Sequence, residues 1–231
     1  MMTDKTNNSS PEQMASIGAQ FAFIKSRRHP SAGSFIFGMK NKIEIFDLEK
    51  TKQKLDEALA FVAELSKTNA KILLVGGKSE AKASIEMAAH RLNMPYVSGR
   101  FIGGSLTNFK EIRKRVDKME KLLDEKEKGE LAKYTKKERL LIDREIDKLK
   151  EYFSGLSTMK DLPQAVFVVD SKQESIAVKE ASMLGIPVIA ICGSDNDMSK
   201  VAYPIPANDS SKKSIEFFVN QIAEAYQKAS K

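Results

Sequence analysis

The sequence predicts an α/β fold in which a doubly wound parallel sheet carries an inserted antiparallel helical hairpin. Continuous apolar runs such as 71–75 and 165–169 are typical of strands that are buried on both faces. Helical patterns lie between these runs, and this alternation builds parallel sheets. Over 109–153 the apolar residues instead alternate threes and fours, as in a coiled coil. The predicted α/β domain therefore comprises 11–108 and 154–231.

The chain before the first buried strand is predicted to contain a tail, a short helix and a β-hairpin. Residues 1–10 are polar and are expected to be disordered. Pro11 opens an amphipathic helix whose apolar positions continue at helical spacing to Ile24. Two β-rich runs follow, and the turn chemistry of 38–42 between them predicts the hairpin. Asp47 is expected to cap the next helix.

The remaining elements of the α/β pattern surround the inserted helices. A helix is predicted at 79–92 before the insertion and another at about 174–184 after it. The segment 203–206 contains two prolines, which remove donors from a strand ladder, so it is expected to be an edge strand. Asn208 and Asp209 are expected to cap the final helix.

The composition describes a soluble, basic protein. The 231 residues include 38 Lys and Arg against 31 Asp and Glu, so the net charge is +7 and points to a polyanionic partner. No apolar run approaches the roughly 20 residues that span a bilayer, and the first residues lack a signal-peptide pattern. A single cysteine, Cys192, excludes an internal disulfide framework. We therefore expect a cytoplasmic protein without a membrane partner.

A glycine-rich loop, 99–108, joins the α/β pattern to the predicted hairpin. Its glycines permit a constrained backbone, Arg100 supplies a cation and Phe101 a stacking surface. Asn108 stands where it could cap the following helix, position the loop or donate to a sugar. On spacing alone, a tight turn without a ligand and a binding loop are both open.

The residues give little support to catalysis. Gly76-Gly-Lys78-Ser79 follows a strand, but Ile72 stands where a phosphate-binding loop requires a glycine. No dinucleotide fingerprint, metal-ligand cluster or nucleophile–base arrangement is present, and Cys192 is interpreted as a small buried apolar residue. We expect no cofactor and no small-molecule substrate. One alternative is an enzyme that binds a phosphorylated ligand at Gly99–Asn108, and another is a coiled-coil scaffold that binds only protein.

Basic loops form the candidate nucleic-acid interface. The segment 25–30 holds three cations and a histidine without a balancing acid, so a phosphate contact and a solvated turn are equally open there. The turn at 38–42 carries two lysines, and the root of the first long helix carries a basic cluster. The candidate RNA-binding residues are Arg27, Arg28, His29, Lys40, Lys42, Arg100, Asn108, Lys110, Arg113 and Lys114.

Several long stretches resemble the bacterial form of the ribosomal protein S2 family. They cover about 12–228 in chain order and lie at 35–51, 71–78, 100–109, 162–170, 176–181, 184–188 and 203–209.

The resemblance implies a flavodoxin-like, three-layer α/β/α fold that carries a coiled-coil hairpin. It implies no catalysis, a place in the small ribosomal subunit, and contacts with its ribosomal RNA and with neighbouring ribosomal proteins in translation. Three departures from the family stand out. The segment 18–23 lacks both histidines of the family pattern, and the pattern after the fourth long strand appears as Gly193-Ser-Asp-Asn-Asp-Met198, shifted in detail. Phe101 replaces a tryptophan.

Overall fold

The computed structural model describes residues 10–229, without the side chain of Ala132. Residues 1–9 of the predicted disordered tail lie outside this range. The strands are β1 (Phe21–Ile24), β2 (Ile36–Lys40), β3 (Ile43–Phe46), β4 (Ile72–Val75), β5 (Tyr96–Val97), β6 (Ala165–Val169), β7 (Val188–Cys192) and β8 (Tyr203–Pro206). The α-helices are α1 (Pro11–Ser16), α2 (Leu48–Lys67), α3 (Ser79–Leu92), α4 (Phe109–Glu127), α5 (Lys136–Phe153), α6 (Ser175–Met183) and α7 (Lys212–Ala229). Short 3-10 helices lie at Lys25–Arg27, Pro30–Phe35, Glu130–Lys133, Ser154–Leu156 and Met198–Lys200.

Five parallel strands form the central sheet in the order β5-β4-β6-β7-β8. Strands β4 and β6 pair in register from Ile72 with Ala165 to Val75 with Val168. Among these five strands, the spatial order is second, first, third, fourth and fifth in the chain, which is the flavodoxin-like doubly wound arrangement. Strand β8 lies at the edge, as its two prolines predict. The predicted fold class is confirmed.

Alternate residues of each central strand face opposite sides of the sheet, and helices cover both sides. Leu74 and Phe167 belong to a core cluster with buried residues of α2, α3 and α7. Leu73 and Val168 belong to a second cluster with α6 and the base of the helical hairpin. The molecule therefore has three layers, α/β/α.

Helices α4 and α5 form the inserted antiparallel hairpin. Along its length, ion pairs join the two helices, for example Lys126 Nζ with Asp143 Oδ1 at 2.6 Å. At its base, Ile112, Val116 and Phe153 belong to the same core cluster as the adjacent face of the sheet. The base of the hairpin is therefore packed into the second layer of helices.

The N-terminal region departs from the helix predicted to run from Pro11 to Ile24. Helix α1 ends at Ser16, and Phe21–Ile24 is strand β1. Gly18 has a φ of +76°, a left-handed conformation that ends the helix. Strand β1 then pairs antiparallel with β3, which also pairs with β2. The prediction of helix through Ile24 is wrong, because four apolar residues at helical spacing also suit a short strand after a turn.

The predicted cap of α2 forms, whereas the predicted cap of α7 does not. The Asp47 carboxylate accepts hydrogen bonds from the backbone N–H groups of Glu49 and Lys50, so this cap is confirmed. Helix α7 begins at Lys212, which is too late for Asn208 or Asp209 to cap it. Their side chains instead bind other parts of the fold.

Candidate nucleic-acid interface

The loop 99–108 is held by one carboxylate, that of Glu180 in α6. The backbone N–H groups of Gly104, Leu106 and Thr107 donate to its two oxygens at 2.5, 3.0 and 3.0 Å. Burial raises the pKa of Glu180, but the three donors outweigh burial and hold the pKa below its usual value. An internal anion thus occupies the N–H groups that a phosphorylated ligand of this loop would need.

Two residues of this loop have other roles than the sequence indicated. Phe101 is buried in the core cluster beneath the sheet, so its ring is not a stacking surface for RNA. Asn108 is at the N-cap position of α4, but its side chain makes no capping hydrogen bond. Asn108 is exposed, whereas the nearby Ser105 hydroxyl donates to the carbonyl oxygen of Ile102.

The carboxyl ends of β4 and β6, where such folds bind ligands, are closed by an ion-pair cluster. The Lys78 ammonium lies 2.7 Å from Asp170 Oδ2 and 3.0 Å from Asp209 Oδ2. Burial lowers the pKa of Lys78, but the two carboxylates outweigh it and raise the pKa above its usual value. The neighbouring Gly77 N–H donates to Glu174 Oε1 at 3.1 Å. This geometry agrees with the rejection of a nucleotide site at Lys78.

Cys192 ends the buried strand β7. Its side chain is fully buried, and burial raises the pKa of the thiol to about 12. The thiol is therefore protonated at neutral pH and packs as a small apolar group, as interpreted from the sequence.

Four of the candidate cations are exposed and unpaired among the described residues. Lys40 and Lys42 lie at the β2–β3 turn, where Lys42 has a φ of +68°. Arg100 and Lys110 lie at the two ends of the glycine-rich loop and the start of α4. None of these four side chains makes an ion pair or hydrogen bond within residues 10–229. They are therefore available to an external anion.

The basic segment after β1 is tied to the body of the protein. Arg28 Nη1 lies 2.8 Å from the buried Glu44 Oε1, so its guanidinium is not free for phosphate. Arg27 stacks over the Phe23 ring at 4.3 Å and reaches Asp195 at 3.5 Å, although its side chain remains mostly exposed. His29 Nδ1 accepts from the Ser31 backbone N–H at 3.3 Å and caps a short helix.

The last two candidates, Arg113 and Lys114, both lie in the first turns of α4, but only one of them is accessible. Arg113 Nη1 donates to the carbonyl oxygens of Ser157 and Met159 at 3.1 and 3.4 Å, and the same guanidinium binds Asp117 and Glu120. Arg113 thus ties the hairpin to the chain that follows it. Lys114 is 71% exposed and has only a helical neighbour, Glu111, at 2.6 Å, so it remains accessible.

The sequence indicated only one side of a basic groove at the base of the hairpin: Arg115 belongs to the basic cluster at the root of the first long helix, but Arg144 and Lys148 were missed. Arg115 of α4 lies with Arg144, Lys148 and Tyr152 of α5 around one cleft. The acidic residue in its lining, Glu145, is paired with Lys118. All three cations are exposed and have no ion-pair partner in the described part of the chain. The spacing of Arg144 and Lys148, which places both on one helix face, was the available signal.

The described residues hold neither a metal-ligand cluster nor a membrane-spanning helix. No group of three or more His, Cys, Asp or Glu side chains between residues 10 and 229 is arranged to hold a metal ion. No helix in this range is long and apolar enough to cross a membrane.

The fold and the site define a class of protein. It is a doubly wound α/β protein whose own side chains occupy the position at which related folds bind nucleotides, and whose free cations lie on surface loops and on a helical hairpin. A sequence model described as Ribosomal protein S2 matches residues 14–229. The chain belongs to the ribosomal protein S2 family, which confirms the resemblance found in its sequence.

Individual relatives agree with this assignment, and each is named small ribosomal subunit protein uS2. The protein of Spiroplasma citri is 43% identical over 215 residues, which are 93% of this chain and 60% of that protein. The protein of Coprothermobacter proteolyticus is 41% identical over 93% of this chain and 80% of its own length. The protein of Chlorobaculum parvum is 43% identical over 92% of this chain and 85% of its own length.

Proposed function

We propose that this chain is a cytoplasmic, non-catalytic component of the small ribosomal subunit that binds ribosomal RNA and neighbouring ribosomal proteins. The observation that carries the RNA contact is the set of free cations on the outside of the α/β body. They are Lys40, Lys42, Arg100 and Lys110, to which α4 and α5 add Lys114 and the groove of Arg115, Arg144 and Lys148. Family membership supports the place in the subunit.

Folded RNA is recognised mainly by its shape and its phosphates, because the major groove of an RNA helix is too narrow for side chains. A rigid sheet that presents cations at fixed places suits such a partner. Here Glu180 fixes the loop between Arg100 and Lys110, and the packed base of the hairpin fixes α4. The proposed contacts are therefore preorganised by the fold.

The salt dependence of RNA binding tests this proposal. Binding of the full chain to a small-subunit rRNA fragment should weaken linearly on a log–log plot against salt, because phosphate neutralisation releases counterions. Two double variants, K40A/K42A and R100A/K110A, should each make the slope shallower by roughly 0.7–0.9 per lost contact.

Lys54→Ala is the matched control, since its ammonium already pairs with Glu57 at 2.7 Å on α2. This variant should leave the slope unchanged. An affinity that does not depend on salt, or slopes that both double variants leave unaltered, would overturn the proposed interface. Co-sedimentation with small subunits at moderate salt tests the place in the ribosome separately.

A further inference from the structure

The three-stranded sheet β1-β3-β2 presents an apolar face to solvent. Phe37 is 80% exposed, and Phe21, Ile24 and Ile43 are 46%, 45% and 41% exposed. Large apolar side chains exposed together on one surface mark an interaction site more often than a free surface. Nothing in the described residues covers this face.

Strand register places Phe21, Ile24 and Ile43 on the same side of the sheet. Phe21 and Gly38 both pair with Ile45 from opposite sides of β3, and Ile24 and Lys40 both pair with Ile43. The register of β2 shifts between Ile36 and Gly38, so Phe37 is an extra residue beside Gly38. Such a bulge redirects a side chain.

The space around Phe37 is open. Phe37 is 80% exposed, and apart from its two chain neighbours no described atom lies within 4 Å of a Cβ added at Gly38, so no other element covers the backbone there. Strands β1 and β2 flank β3, and neighbouring strands are about 4.8 Å apart, which separates the rows of Phe21 and Phe37 by roughly 10 Å. A flat partner can therefore lie on both rings.

The rim of this face is positive. Between Phe21 and Phe46 the only acidic residue is Glu44, which is buried and bound to Arg28. Lys25, Lys40 and Lys42 are exposed there, and no described residue neutralises them. Exposed aromatic rings among unpaired cations are the combination that binds single-stranded nucleic acid.

We infer that this face, here called the stacking face (Phe21, Ile24, Phe37, Gly38 and Ile43), binds an unpaired segment of ribosomal RNA. Bases stack on the Phe37 and Phe21 rings, and phosphates lie against Lys40 and Lys42. A polypeptide partner would have to supply acidic groups to match this rim, whereas every RNA segment carries them. The inference rests on the proposed RNA-binding function. It adds a contact in which unpaired bases stack on aromatic rings.

The chain contains no tryptophan, so Phe37→Trp introduces a single fluorescent reporter. Titration of this full-length variant with an unstructured oligouridine of roughly 12 nucleotides should quench its fluorescence, because a base stacks on the indole. An RNA duplex of the same length should quench much less. Met183→Trp is the matched control, since Met183 in α6 is also 80% exposed, and it should not respond.

Phe37→Leu separates stacking from general apolar contact. Leucine preserves much of the apolar surface but has no aromatic face, so the oligouridine affinity should fall roughly fivefold or more. Because Phe37 is exposed, both substitutions should leave the fold intact. Equal quenching by the duplex, absence of quenching, or an unchanged affinity of Phe37→Leu would overturn the inference.

The source of the RNA is tested in assembled subunits. A photoreactive phenylalanine analogue at position 37 should crosslink to the ribosomal RNA, whereas crosslinks only to added messenger RNA or to a ribosomal protein would contradict the inference. Salt-dependent binding of the rRNA fragment that weakens in R100A/K110A tests the proposed function separately. If that binding persists while the Phe37 tests fail, only the stacking face is rejected. Failure of the fragment to bind at all rejects the proposed function itself.

Discussion

A single buried carboxylate determines the shape of the glycine-rich loop. Glu180 comes from α6, more than seventy positions after the loop in the chain, and its two oxygens receive three backbone donors. Without it, those N–H groups would be left without partners, and unpaired buried donors are strongly destabilising. Glu180 therefore links the loop that carries Arg100 to the helix layer.

Glu180→Gln should destabilise the protein in a pH-dependent way. The folded-state pKa of Glu180 is below 4.5, so its stabilisation is fully present above pH 4.5 and is lost as the pH falls further. The variant should lower the free energy of unfolding by about 2 kcal/mol at neutral pH. Below pH 4.5 its stability should decline less steeply than that of the natural chain, in urea unfolding followed by circular dichroism.

The matched control for Glu180→Gln is Glu64→Gln, which removes an exposed carboxylate from α2. It should leave both the stability and its pH dependence almost unchanged. If Glu180→Gln kept the natural pH dependence below 4.5, the carboxylate would not be the group that holds the loop.

Among the elements, the hairpin α4–α5 has two parts with different surroundings. Its outer part is held by pairs between the two helices, such as Lys126 with Asp143. Its base contributes Ile112, Val116 and Phe153 to the core cluster beneath the sheet. We therefore propose that only the outer part is separable from the α/β body.

Two replacements test this division of the hairpin. A short Gly/Ser turn in place of 124–142 should leave a cooperative thermal transition, since closure entropy changes slowly with loop length. The same turn in place of 113–149 removes Arg113, Val116 and Met119, and should lower the free energy of unfolding by several kcal/mol, on the order of one buried apolar side chain or more. Equal stability of the two proteins in calorimetry would show that the base of the hairpin is not part of the core.

On the scale of the whole molecule, three distant parts of the chain meet at Lys78. The end of β4 supplies the ammonium, the end of β6 supplies Asp170, and the segment before α7 supplies Asp209. All three groups are largely buried, so removing the ammonium leaves two carboxylates without a cationic partner. A buried charge without its partner is strongly destabilising.

Lys78→Met should lower the free energy of unfolding by about 3–5 kcal/mol, measured by urea denaturation. Adding Asp209→Asn should recover part of this loss, because one uncompensated carboxylate is removed. Lys54→Met breaks an exposed pair on α2 and should change the stability by less than about 1 kcal/mol. Equal effects of Lys78→Met and Lys54→Met would refute the role assigned to the cluster.

The sequence was sufficient to predict those elements whose hydrophobic pattern fits only one type of secondary structure. The continuous apolar runs 71–75 and 165–169 became β4 and β6, since only strands buried on both faces need apolar side chains throughout. The run from Pro11 to Ile24 had two meanings, and the turn at Gly18 selected the strand. The local sequence therefore predicts an element reliably when burial on both faces requires every side chain to be apolar. A run that is buried on one face only can fit either a helix or a strand.

The candidate site was predicted less completely, because a cation's availability depends on partners far along the chain. Arg28 and Lys42 look alike in sequence, yet only Arg28 meets a buried carboxylate. Arg113 is occupied by carbonyl groups 44 and 46 positions later. The groove of Arg144 and Lys148 exists only because α5 folds back on α4. Such pairings depend on the tertiary structure, so the local sequence does not reveal them.

The pairing of β4 with β6 also has a consequence in time. About 90 residues, including the whole hairpin, separate the two strands in the chain. At common rates of protein synthesis, β4 leaves the ribosome on the order of 10 seconds before its central neighbour exists. During that interval α4 and α5 can already form through local contacts, while β4 keeps an open edge. The newborn chain should therefore be most prone to misassociate when the hairpin is complete and β6 is not.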